Sequence, residues 1–168
     1  MRKFLLASIV MLGVWQSAYA DDSILIQRPV PFNEDADIPG AVKRECKLDE
    51  KLPDAIAEHG RDTNIKTSFA AQADSNHPGR VLVMEITNVV SEGNSFLGHH
   101  KSMSVKGKLY QDGQAVGSFK GRRNSMGGAF AGFKGNCSVL ERTANELGED
   151  IAKWLAAPKM DAQLGDLE

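Results

Sequence analysis

The sequence predicts an α+β domain, with a mainly antiparallel sheet of about five strands and two helices packed on one face. Three observations carry that expectation. They are the near-continuous β-branched and aliphatic run Arg80 to Val90, the Asp112-Gly113 turn between two alternating stretches, and an amphipathic repeat that closes at Leu155. Sixteen glycines and few aromatic residues suit a sheet with tight turns better than a helical bundle.

The first twenty of the 168 residues read as a cleavable export signal. Arg2 and Lys3 supply the basic start, Phe4 to Val14 the apolar run and Ala18-Tyr19-Ala20 the small-residue cleavage site. That run is about half the roughly 20 residues a membrane-spanning helix needs. No cysteine stands at the cut to carry a lipid, so the expected product is a soluble chain in the periplasm or the medium, with no transmembrane segment. Residues 21–158 then fit one domain, and the polar, acidic stretch 159–168 is expected to fray as a flexible tail.

Ser23 to Gln27 reads as a short entering strand, and the stretch to Lys43 as loop. Asp49 is placed as the N-cap of a short helix that ends at His59, with Pro53 in its first turn, Gly60 as its stop, and Leu52 and Ile56 buried beside Ala55. Ile65, Thr67 and Phe69 alternate as a second strand, ended by the turn-rich run Asp74 to Gly79. Arg80 to Val90 is the central strand. Ser91 to Lys101 is a long connection carrying Phe96 and Leu97. A hairpin follows, with Met103, Val105, Leu109, Val116 and Phe119 as its apolar positions and Asp112-Gly113 as a two-residue type I′ turn. Gly121 to Gly135 is first basic and then glycine-rich. Ser138 and Glu141 form a capping box for the last helix, whose buried stripe is Leu140, Ala144, Leu147, Ile151 and Leu155 with Trp154 beside it. Pro158 closes that helix.

The chain has two cysteines, Cys46 and Cys137, and each stands just before a helix. Export would carry them to a compartment where disulfides persist, so pairing is expected; two buried free thiols are the plain alternative. Closing a loop of about 90 residues stabilises a fold by roughly 4–5 kcal/mol in the chain-entropy model. A metal pair is disfavoured, because neither thiol has a histidine or second thiol at ligand spacing.

Val81 to Asn88, Tyr110 to Gly113, Gly127-Gly128 and Glu146 to Leu155 give the second half an order of strand, connection, hairpin, glycine-rich run and terminal helix. In this it resembles uncharacterised bacterial envelope domains, many of them lipoproteins. The resemblance implies fold and compartment, and no activity. The missing lipid-bearing cysteine departs from the common pattern.

For chemistry, the sequence offers one contrast of charge. Between Leu97 and Lys134 stand Lys101, Lys106, Lys108, Lys120, Arg122, Arg123 and Lys134 against the single acid Asp112, a net +6 within a chain of net −2. On the hairpin Lys106 and Lys108 share a face, as do Lys120 and Arg122, opposite the apolar positions. A basic face attracts an acidic envelope protein or an anionic surface; an ordinary solvated face is the competing reading. Few aromatics interleave the charges, which argues against nucleic acid. His99-His100 invites a metal, but adjacent strand residues point to opposite faces, so no metal or cofactor is expected. The glycine-rich run matches neither a P-loop nor a dinucleotide fingerprint. No serine sits in a nucleophile elbow, and no catalytic residue is assigned. The expected role is a non-enzymatic binding or accessory module that uses Lys101, Lys106, Lys108, Lys120, Arg122 and Arg123, or the connection Ser91 to Lys101. The alternative is a small-ligand or metal carrier with its site between the sheet and the glycine-rich run.

Overall fold

The computed structural model describes residues 23–91, 100–125 and 135–167. Within them six strands form one sheet in the order β2-β1-β3-β4-β5-β6, with β1 at Ile24–Gln27, β2 at Thr67–Ala70, β3 at Arg80–Ser91, β4 at Lys101–Gln111, β5 at Gln114–Ser125 and β6 at Ala162–Gly165. Three helices complete it: α1 at Gly40–Glu45, α2 at Leu48–Asp62 and α3 at Asn136–Ala156. The α+β class is as expected, but the sheet is mixed rather than mainly antiparallel. β1 runs parallel to both β2 and β3, and β6 runs parallel to β5, while β3, β4 and β5 are antiparallel. The cause is connectivity. α2 lies between β1 and β2 in the chain and α3 lies between β5 and β6, and a helical crossover returns a strand parallel to the one it left.

The central hairpin forms as its sequence dictates. Asp112 and Gly113 both adopt positive φ, at 50° and 83°, which a type I′ turn requires. Strand alternation then decides what is buried. Leu82, Met84 and Ile86 of β3 pair with Leu109, Gly107 and Val105 of β4 on the side that meets the helices. Gly107 is needed there, because a Cβ at that position would stand 2.6 Å from the Phe119 ring. Phe119 meets Trp154 of α3 edge-on, with centroids 4.8 Å apart.

Both longer helices depart from the bounds their sequence suggests. α2 starts at Leu48 behind a left-handed Lys47, so Asp49 lies in its first turn and not at the cap. There it favours the positive end of the helix dipole. Pro53 cannot donate to the Asp49 carbonyl, and the backbone N–H of Val30 donates to it instead, at 2.9 Å. Gly60 does not stop α2. It stays helical, and its carbonyl accepts from the N–H groups of Thr63 and Ile65, closing the end two residues later. In α3 the expected capping box does not form, because the helix already begins at Asn136. Ser138 thus lies inside the first turn and its hydroxyl donates to the Gly135 carbonyl.

The stripe of α3 is as read: Leu140, Ala144, Leu147, Ile151, Trp154 and Leu155 are all buried. Gly148 lets α3 approach α2 closely, since a Cβ there would fall 2.5 Å from the Ala55 Cβ. Cys46 and Cys137 form a disulfide, with Cα atoms 4.9 Å apart, that ties the end of α1 to the first turn of α3. α1 itself begins within the stretch read as loop.

The expectation of a fraying tail is corrected. Residues 162–165 form β6, and side chains pin the segment at both ends. Ser118 and Asp161 exchange hydrogen bonds, the indole of Trp154 donates to the Lys159 carbonyl, and Asp166 accepts from the backbone and side chain of Asn124. The connection over 92–99, which includes His99, and the glycine-rich run over 126–134 lie outside the described residues, as do residues 1–20, where the export signal is expected.

Candidate functional site on the open face of the sheet

Because the helices cover one side of the sheet, every second residue of its strands faces the other side. In β3, β4 and β5 these are Val83 and Glu85, then Lys106, Lys108 and Tyr110, then Ser118, Lys120 and Arg122, by the register that joins Val83 to Lys108, Glu85 to Lys106, Lys106 to Lys120 and Lys108 to Ser118. All but Arg122 line a groove of about 540 Å³. Gln27 and Pro31 close it on the β1 side, and Asp161 and Gln163 on the β6 side.

The electrostatics of the groove are uneven. Lys106 pairs with Glu85 at 2.6 Å, and the Asn33 amide donates to the same carboxylate at 2.7 Å. The ammonium of Lys106 first, and that amide after it, hold the Glu85 carboxyl below its ordinary range against the opposing effect of burial. Asp161 accepts from the Ser118 hydroxyl. Lys108 and Lys120 have no ion-pair partner among the described residues, and the Arg122 guanidinium donates to the Asn124 side-chain oxygen, at 3.1 Å. Lys120 stands directly opposite Lys106, another cation. Like charges placed across a strand pair cost stability, and here Glu85 offsets that cost by pairing with Lys106.

Six basic residues are candidates from the sequence, and four of them come together here: Lys106, Lys108, Lys120 and Arg122. The other two lie on the helix side. Lys101 is 1% exposed, its ammonium donates to the Ser91 hydroxyl, and burial lowers its pKa. Arg123 grips Asp150 of α3 with two bonds of 2.7 Å and also reaches Asp166. Sequence reasoning missed Glu85, Tyr110, Asp161 and Gln163. Glu85 had a signal, as the one charged residue in the apolar run from Val81 to Ile86, but Asp161 and Gln163 come from the segment read as a tail.

Of the histidines, His59 contacts Asn145, His77 contacts the Pro78 carbonyl and His100 is exposed. Among the described residues no three His, Cys, Asp or Glu side chains are placed to share a metal ion, and no helix is long and apolar enough to cross a membrane.

The sequence matches no protein-family profile and no curated protein. Solved structures do resemble it. A hypothetical protein from Chlamydia trachomatis superposes with a TM-score of 0.54 at 11% identity, over 82% of this chain and 97% of that one. A Xanthomonas campestris protein of the DUF330 family gives 0.50 at 13% identity, over 80% and 83%. A minor lipoprotein from Acinetobacter baumannii gives 0.44 at 9% identity, over 81% and 94%. At these identities the first two likenesses establish a shared fold: a mixed sheet covered by helices on one face, a framework already seen in uncharacterised bacterial proteins.

Proposed function

We propose that this chain is a non-enzymatic binding module of the bacterial envelope that holds an anionic partner on the open face of its sheet. One observation carries the proposal. Lys108, Lys120 and Arg122 share that face without an acid among the described residues to neutralise them, beside a groove large enough to seat a ligand. Cations gathered on one face raise the local concentration of an anion. The envelope assignment is supported by the export signal read at Met1 to Ala20 and by the Cys46–Cys137 disulfide, which persists in an oxidising compartment.

The test is capture of envelope components by the immobilised protein, compared with a variant carrying Lys108→Glu, Lys120→Glu and Arg122→Glu. The expected outcome is a retained anionic component that elutes with salt and is lost from the variant. Equal capture by the two proteins refutes the proposal.

A further inference from the structure

We infer that the groove takes a single-chain amphipathic anion, a long-chain carboxylate, with its hydrocarbon chain over Pro31, Val83 and Tyr110 and its head group at Lys108 and Lys120. The inference rests on the open-face reading and names its ligand class. Size comes first. The groove is about 540 Å³, within the roughly 300–1,000 Å³ that small-molecule sites span. Its lining comes next. Val83 and Tyr110 are half-buried on a face that no helix covers, and a small polar anion would leave that carbon surface wet, while a hydrocarbon chain removes it from water.

Charge fixes the head group. Glu85 already occupies Lys106, which leaves Lys108 and Lys120 as diagonal neighbours across β4 and β5. Such neighbours lie about 7–8 Å apart at the backbone, a span two lysine side chains close around one carboxylate. An acidic peptide would satisfy the same lysines, but it would set its backbone amides against the side chains of Val83 and Pro31, which offer them no hydrogen-bond partner, with only the Tyr110 hydroxyl nearby.

Titration calorimetry on the full chain, with ligands kept below their micellar concentrations, tests this. Decanoate is expected to bind about tenfold or more tighter than hexanoate, since each buried methylene strengthens binding by up to about fourfold. Decanol, with the same chain and no charge, is expected to bind about fivefold or more weakly than decanoate. The pair Lys108→Gln and Lys120→Gln should erase the difference between decanoate and decanol, and Val83→Thr, nearly isosteric, should flatten the dependence on chain length. Circular dichroism checks that each variant keeps its fold. Hexanoate or succinate binding as tightly as decanoate overturns the lipid chain but leaves the anion-binding face standing. Tighter binding of a glutamate-rich peptide overturns it as well and assigns the face to an acidic protein. If no anion binds, both readings fall.

Discussion

The same two strands, β4 and β5, present cations to both sides of the sheet, and the two sides treat them differently. On the helix side Arg123 is locked to Asp150, whose side chain is only 13% exposed, and Lys101 is buried against Ser91. On the open side, among the described residues, Lys108, Lys120 and Arg122 lack an acid partner, and Lys106 has one in Glu85. Arg122 and Arg123 are adjacent in the chain, so the contrast follows from strand alternation and not from local composition. It teaches that burial compels a hydrogen-bonding partner, a carboxylate for Arg123 and a hydroxyl for Lys101, whereas the open side leaves charge to water.

Three substitutions probe that contrast in order of effect. Leu147→Ala, at a fully buried position of α3, should lower stability by about 2–5 kcal/mol in denaturant titration, the usual range for such a cavity. A much smaller loss would show that α3 packs less closely on the sheet than its stripe implies. Arg123→Ala should cost about 1.5–3 kcal/mol, because it leaves Asp150 without its two charged hydrogen bonds. If instead it behaves like a surface change, the distinction between the sides fails. Lys120→Gln should change stability by no more than about 0.5 kcal/mol, with a tendency to stabilise, because it removes the like charge opposite Lys106. A loss as large as that of Arg123→Ala would mean that Lys120 serves the fold.

Much of the framework was legible because it is local. The hairpin rests on two adjacent residues that tolerate positive φ, and α3 on a repeat confined to its own turns. What was missed depends on distant partners. β6 exists because α3 carries the chain back to β5, where Ser118 and Asn124 receive it some forty residues away from their neighbours in sequence. The capping box failed because the helix starts two residues before Ser138, a start that no local signal marks. At the site, period-two alternation rightly gathers Lys106, Lys108, Lys120 and Arg122. The same rule sets Lys101 and Arg123 on the opposite side, so treating all six as one surface went beyond the pattern. That Glu85 neutralises Lys106 needs the pairing register of β3 with β4, which the two strand sequences alone do not specify.

The return of the chain as β6 has a consequence for how the molecule behaves among its own copies. Both margins of the sheet are four-residue strands, β2 and β6, although β3, β4 and β5 are eleven or twelve residues long. The backbone of β5 between Ser118 and Asn124 is occupied by residues 159–166. A chain cut after Pro158 would exchange that short margin for a long strand of unfilled hydrogen-bonding groups, the kind of edge on which a second chain adds itself. Residues 159–166 thus cover a long edge that would otherwise stand open to another chain.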